Sequence, residues 1–162
     1  MKLREELAYP ADVETVFSML CDPAFRRRVC EATYALEHSV AVEAQGDVVV
    51  ISVVRVMPAD VPPVVRRVVG DRIEISQVER WAAAAHPGRR TADLALTVVG
   101  QPARMSGTIA LTAVDGATRG IVEGELRVNV PIFGGRLASE MANGFRFALS
   151  VEAEVAKEYL AG

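Results

Sequence analysis

Residues Ile132 to Leu160 read IFGGRLASEMANGFRFALSVEAEVAKEYL, and this stretch decides the fold. It follows Pro131, has a pair of glycines at Gly134 and Gly135, and contains no proline. Apolar side chains recur every three or four residues, at Leu137, Met141, Phe145, Ala148, Val151, Val155 and Tyr159. That spacing is typical of one face of an α-helix, and polar residues occupy the opposite face. The stretch therefore predicts one long amphipathic helix.

Most of the sequence before this helix has the two-residue period of β-strands. Strand patterns cover residues 2–9, 34–43, 48–57, 72–85, 91–99, 104–114 and 118–130. Two short helices are expected after the first strand, the first capped by Asp12 and the second by Asp22, which precedes Pro23. Residues 58–70 contain three prolines and predict the longest irregular connection, in which residues 64–69 form either one helical turn or a loop. This connection is a candidate gate over a cavity.

These elements predict an α+β fold in a single domain that spans residues 1–162. The links between most strands are too short for crossovers, so the sheet should be antiparallel. With only 6% aromatic residues, a curved sheet cannot fill its own concave side. We therefore expect the long helix to fill it and the two short helices to close one end. Gly107 and Gly124 fall on inward faces and indicate either sharp curvature or a close approach of the helix to the sheet.

Composition limits the partners and the compartment. The net charge of −3 argues against nucleic acid or an anionic membrane as the main partner. Because no apolar run has the length of a secretory signal or a transmembrane segment, we expect no integral membrane insertion and a cytoplasmic location. Cys21 and Cys30 alone form neither a disulfide framework nor a metal site, and no motif indicates a metal, a cofactor or a catalytic set.

Three segments resemble the START-like (SRPBCC) superfamily, which includes the birch pollen allergen, polyketide cyclases and START lipid carriers. They are ELAYPADVETVFSMLCDPAF from Glu6 to Phe25, VERW from Val78 to Trp81, and GELRVNVPIFGG from Gly124 to Gly135. The resemblance covers the whole chain and is greatest for an uncharacterised bacterial domain-of-unknown-function branch. It implies the helix-grip fold, a curved antiparallel sheet of about seven strands wrapped around the C-terminal helix. It also implies a deep apolar cavity for lipids, sterols or polyketides, and it carries over no catalytic residues.

The walls of this cavity should come from inward-facing side chains of the strands and the long helix. The predicted ligand-binding residues are His38, Val50, Val54, Gln77, Glu79, Trp81, Leu96, Met105, Ile109, Leu126, Met141 and Phe145. Met57 is a further candidate, because flexible methionine side chains suit an adaptable apolar pocket. Trp81 could equally serve as core packing.

Three of the predicted residues are polar, which makes their surroundings informative. Gln77 and Glu79 follow two inward isoleucines, so either a bulge resets the register or both side chains point into the interior. A buried Glu79 would pair with an arginine such as Arg80, or would be protonated. His38 would be a packed core histidine, a ligand contact, or a general base that faces Glu79.

Three classes of function remain open from the sequence. A carrier or sensor of a hydrophobic small molecule needs only a cavity and a gate, and the overwhelmingly apolar inward positions favour it. A cyclase- or aromatase-like enzyme would have to use His38, Gln77 and Glu79. A protein-interaction module without a ligand would need an exposed stripe, and Arg26 to Arg28 is the only candidate. That arginine run is otherwise a solvated helix face or a rim for an anionic head group.

Overall fold

The computed structural model describes every residue from Met1 to Gly162. Its elements in chain order are β1 (Lys2–Tyr9), α1 (Val13–Leu20), α2 (Pro23–Ala32), β2 (Glu37–Gln45), β3 (Val48–Pro58), α3 (Pro63–Val69), β4 (Arg72–Trp81), β5 (Arg89–Val98), β6 (Ala103–Val114), β7 (Ala117–Val128) and α4 (Gly134–Ala161). The predicted long helix is α4, which is a single uninterrupted helix of 28 residues.

The seven strands form one antiparallel sheet in the order β1-β7-β6-β5-β4-β3-β2. Hairpins join β2 through β7 in sequence, and α1 and α2 carry the chain between the two edge strands, β1 and β2. Helix α4 packs against β1, β7 and α2. The predicted α+β helix-grip architecture is therefore confirmed.

Both short helices begin at the predicted caps. The backbone N–H of Thr15 donates to Asp12 Oδ1 at 2.9 Å, and that of Ala24 donates to Asp22 Oδ1 at 2.9 Å. These bonds satisfy N–H groups that the first helical turn leaves without a partner. Phe17 of α1 meets Trp81 edge-to-face with ring centroids 5.4 Å apart, so α1 packs on the end of β4.

The connection between β3 and β4 is more regular than predicted, because the helical alternative for residues 64–69 holds and the helix has seven residues. Pro62 and Pro63 begin α3, where a missing N–H costs nothing, and Gly70 ends it with a positive φ of 85°. Within this helix, the side chain of Val65 is buried, whereas Val64 and Val68 are exposed. The prolines therefore start a helix instead of keeping the segment irregular.

Two glycines lie opposite each other on neighbouring strands of the sheet. Gly107 of β6 pairs directly with Gly124 of β7. A Cβ atom on Gly107 would collide with the carbonyl oxygen of Glu123 and with the Cα atom of Gly124. The atoms nearest to a Cβ on either glycine belong to β6 and β7 and not to α4, so the close approach is between the two strands and not between the helix and the sheet.

None of the helices combines the length and the hydropathy that a membrane-spanning segment needs.

Candidate functional site

A cavity of about 650 Å³ lies between the concave face of the sheet and α4. Hydrophobic residues make up 29 of the 43 residues that line it, so an occupant would meet mainly apolar surface. The volume falls in the range of ~300–1,000 Å³ that is typical of small-molecule sites. Met141 and Phe145, on the apolar face of α4, are only half-buried, and both line this space.

Most of the predicted wall residues line the cavity. They are Gln77, Glu79, Trp81, Leu96, Met105, Ile109, Leu126, Met141 and Phe145, and Met57 joins them. Every strand from β4 to β7 contributes, because paired residues of neighbouring antiparallel strands place their side chains on the same face. Whether these residues contact a ligand stays a prediction.

Val50 and Val54 do not line the cavity, which corrects their predicted position. They pair with Arg80 and Ser76 on the convex face of the sheet, whereas Ile51 and Val53 pair with Glu79 and Gln77 on the concave face. Strand β3 is apolar at almost every position, so its pattern contains no contrast that distinguishes the two faces. A shift of one residue then moves the whole strand to the other face.

His38 is also absent from the cavity, although its strand face was predicted correctly. It pairs with Arg55, which does line the cavity, so both side chains lie on the concave side. Helix α2 packs over β2 there, and the His38 imidazole lies 3.6 Å from the Glu31 carboxylate of that helix (Nε2 to Oε1). The predicted set of His38, Gln77 and Glu79 is therefore not assembled.

The dominant polar feature of the cavity is a buried ion pair between α2 and β4. Arg26 donates from its two terminal nitrogens to the two carboxylate oxygens of Glu79 at 3.0 Å and 2.8 Å. Its Nε donates to the carbonyl oxygen of Leu20 at 2.6 Å. Arg26 is 4% exposed and Glu79 is 2% exposed, so both charges are removed from water and depend on each other.

Two neighbours on β4 complete the coordination of Glu79. Gln77 Nε2 donates to one carboxylate oxygen at 2.7 Å, and Trp81 Nε1 donates to the other at 2.8 Å. The register of β4 with β3 is continuous, so no bulge turns Glu79 outward and the strict alternation holds. The partner of Glu79 is Arg26 instead of Arg80, which lies on the convex face.

A second carboxylate enters the same cluster from α4. Glu152 Oε1 accepts a hydrogen bond from Tyr9 Oη at 3.2 Å, and Oε2 lies 3.9 Å from an Arg26 terminal nitrogen. Burial raises the pKa of Glu152 above its usual value, although Arg26 opposes the shift. Burial and the nearby Glu152 carboxylate raise the pKa of Tyr9 well above 10.0.

The shift at Glu152 predicts a pH-dependent effect of Glu152→Gln on stability. A raised pKa means that the folded state binds more protons than the unfolded state, so ionisation of Glu152 opposes folding as pH rises through that pKa. Glutamine cannot ionise. The free energy of unfolding of the variant minus that of the wild type should therefore be more positive at pH 8 than at pH 4.5. Urea unfolding at both pH values measures this difference. Glu154→Gln, at an exposed position of the same helix, is the control, and an equal Glu152→Gln difference at both pH values would contradict the prediction.

The sequence interpretation missed Arg26, Glu152 and Arg55 as cavity residues. Arg26 was grouped with Arg27 and Arg28 as an exposed stripe, but it shares a helical face with the buried Val29 and Cys30 three and four positions later. Arg28 is paired with Glu158 on the surface. The predicted exposed stripe of three arginines is therefore wrong at Arg26, and only Arg27 and Arg28 are exposed. The 3.6-residue period of the helix could have indicated that Arg26 faces inward, because it places this arginine on the same face as the buried apolar residues.

The two other residues also stood within apolar patterns. Glu152 lies in the inward face of α4, three positions before the buried Val155. Arg55 follows Ile51 and Val53 on the concave face of β3 by simple alternation. A charged residue at an inward-facing position of such a pattern is more often paired or functional than exposed to solvent.

One end of the cavity is covered by the β3–β4 connection. Pro58, Asp60, Val61 and Val69 of this segment belong to the lining, as does Phe147 of α4. Helix α3 is thus placed beside an opening, and its role as a gate stays a prediction.

Solved structures with this arrangement of strands and helices were found in several bacteria. The chain is similar to TTHA0849 from Thermus thermophilus at 17% identity, with 98% of this chain and 95% of that chain covered and a TM-score of 0.64. It is similar to the Zhui aromatase/cyclase from a Streptomyces species at 12% identity, covering 98% and 92%, with a TM-score of 0.62. It is similar to a STAR-related lipid transfer protein from Xanthomonas axonopodis at 13% identity, covering 99% and 86%, with a TM-score of 0.59.

At these identities the likeness concerns the fold alone, and the neighbours are START-like proteins. No curated protein matches the sequence. Residues 4–160 match the family described as "Protein of unknown function (DUF2505)". Since that match spans nearly the whole sequence, the chain belongs to the DUF2505 family and has the START-like helix-grip fold.

Proposed function

We propose that this protein binds a hydrophobic small molecule, such as a lipid, a sterol or a polyketide-like compound, as a carrier or sensor. The observation that supports the proposal is the cavity of about 650 Å³ with predominantly hydrophobic walls. Arg26, Glu79 and Glu152 form one buried polar cluster in it, while β5, β6 and β7 supply mainly apolar side chains. Such a division favours a largely apolar ligand with a small polar part.

The driving force for binding would be removal of apolar surface from water. Burial contributes roughly 25 cal/mol per Å² of apolar surface, and both the cavity wall and the ligand would lose such surface. The polar cluster adds little gross affinity, because its groups already satisfy one another. The fold-level similarity to a lipid transfer protein and to an aromatase/cyclase agrees with a cavity that holds an apolar molecule.

A neutral fluorescent probe, Nile red, tests the proposal together with a cavity-filling variant. Ala148 lies on the cavity side of α4, so Ala148→Trp should occupy part of the space. We expect Nile red to bind the wild type with one site per chain and the variant to bind it at least about tenfold more weakly.

Ser150→Trp is the matched control, because Ser150 is exposed on the same helix. It should bind the probe as the wild type does. Thermal unfolding of both variants establishes that they are folded before binding is compared. If Nile red fails to bind the wild type, or binds all three proteins equally, the proposed cavity function is wrong.

A second candidate is an acid–base enzyme of cyclase or aromatase type in the same cavity. The observation that favours it is the Glu152 carboxyl group, whose pKa burial raises and which lies within hydrogen-bonding distance of Tyr9 Oη. A carboxyl group with a raised pKa can donate a proton to a bound molecule or accept one from it. For a substrate that is turned over, Glu152→Gln should abolish turnover and leave binding intact, whereas a carrier would show no turnover in either protein.

A further inference from the structure

Arg55 is the one arginine in the cavity lining that takes part in no ion pair or side-chain hydrogen bond. It projects from the concave face of β3, is half-buried and belongs to the cavity lining. The structure contains ten arginine–carboxylate ion pairs, and Arg55 takes part in none of them. Its neighbours across the strands are His38 and Ile75, and neither supplies a carboxylate.

We infer that Arg55 anchors the carboxylate of an anionic amphiphile whose apolar part fills the cavity. This inference rests on the proposed function and names the class of ligand. A guanidinium group presents parallel N–H donors that match the two oxygens of a carboxylate. Because Arg55 is partly removed from water and makes no ion pair or side-chain hydrogen bond, a ligand carboxylate would supply the partner that it lacks.

Arg26 cannot take this role, although it is also an arginine of the cavity. Its Nε and both terminal nitrogens already donate to Leu20 and Glu79, and only 4% of the residue is exposed. A ligand carboxylate would have to displace Glu79 from a buried pair. Arg55 requires no such displacement.

The distance between the two arginines also separates their environments. On β3, Arg55 lies four residues from Ile51, the residue that pairs with Glu79. At ~3.3 Å per residue, the backbone of Arg55 lies roughly 13 Å from that of Ile51, towards the end of the strand that leads to α3. A head group at Arg55 would therefore lie towards the end of the cavity that the β3–β4 connection covers, and the tail would extend along the apolar walls of β5, β6 and β7.

The nearby Glu152 favours a singly charged head group. It is close enough to interact with Arg55, so its carboxylate would repel an anionic head group there, and the repulsion grows with the charge of that group. A doubly charged phosphate monoester would meet greater repulsion with only one unpaired cation available. A carboxylate is therefore the better match.

Displacement of Nile red at pH 8 tests the inference with ligands that share one chain length. The ligands are decanoate, methyl decanoate, 1-decanol, decylamine and decyl phosphate, with acetate as the head group alone. We expect decanoate to bind at least about tenfold more tightly than methyl decanoate, since hydrogen bonds to charged groups are stronger than those between neutral groups. Decyl phosphate should bind less tightly than decanoate, decylamine should bind least tightly of the decyl ligands, and acetate should not displace the probe.

Arg55→Met should remove the preference for decanoate and leave methyl decanoate unchanged. Arg55→Lys should retain part of it, because lysine keeps the charge without the planar fork. Arg80→Met is the control for net charge, since Arg80 lies on the convex face of the neighbouring strand. It should bind both ligands as the wild type does. Without ligand, Arg55→Met should melt at or above the wild-type temperature, because it removes a partly buried charge that has no partner.

The outcomes separate this inference from the proposed function. If methyl decanoate binds and decanoate binds no more tightly, or if Arg55→Met weakens both ligands equally, the role of Arg55 is wrong and the cavity function stands. If neither the probe nor any ligand binds the wild type, the proposed function fails and this inference fails with it.

Discussion

Replacing Arg26 with methionine should lower the free energy of unfolding by about 3–5 kcal/mol, the usual cost of leaving a buried charge without its partner. Glu79 would then keep only the hydrogen bonds from Gln77 and Trp81, in a site that is closed to bulk water. The carbonyl group of Leu20 would also lose its donor. Equilibrium unfolding in urea, followed by circular dichroism, measures the change.

Two comparisons show that the loss comes from the buried charge. Arg27→Met changes an exposed neighbour and should cost less than about 0.5 kcal/mol. Adding Glu79→Gln to Arg26→Met neutralises the orphaned carboxylate while keeping an acceptor for Trp81, so the double variant should be more stable than Arg26→Met alone. If Arg26→Met and Arg27→Met have the same effect, the ion pair does not hold α2 to β4 as described.

Gly107→Ala should destabilise the protein by about 3 kcal/mol, because the added methyl group meets backbone that cannot rotate away. The Cβ atom would be placed against the carbonyl oxygen of Glu123 and the Cα atom of Gly124 on the neighbouring strand. Relief requires β6 and β7 to separate at the position where the sheet curves around α4. Thermal and urea unfolding measure the change.

Gly144→Ala is the matched substitution in open space. A Cβ atom there has no neighbour within 4 Å, and the residue lies inside α4. Alanine should therefore raise the free energy of unfolding by ~0.5–1 kcal/mol through its higher helix propensity. A Gly107→Ala protein as stable as the wild type would show that the two strands are not so close.

The strands and the long helix could be predicted because their hydrophobic periods are strong. Strict alternation placed Ile73, Ile75, Gln77 and Glu79 on one face of β4, and the structure keeps that register. Alternation carries no information where every residue is apolar, which is why Val50 and Val54 were placed on the wrong face of β3. The packing of α2 over His38 is a tertiary contact that a strand pattern does not contain.

The polar cluster shows a different limit of sequence interpretation. A run of three arginines was interpreted as surface because arginine is usually exposed, but Arg26 is buried by its position on the helix. Its partner, Glu79, lies 53 positions away, and Glu152 reaches the same site from α4. Helical period could indicate that Arg26 and Glu152 face inward, whereas only the folded structure shows that they meet.

The central claim is that the space between the sheet and α4 receives an apolar ligand, and the five methionines provide a direct test. Met57, Met105 and Met141 line the cavity, whereas Met19 is buried elsewhere in the core and Met1 is exposed. The measurement is a titration of protein carrying ¹³C-labelled methionine methyl groups with methyl decanoate, with resonances assigned by single Met→Leu variants. The account predicts saturable shifts at Met57, Met105 and Met141, with Met1 and Met19 little changed. Shifts confined to Met1, or no shifts at high micromolar ligand, would contradict it.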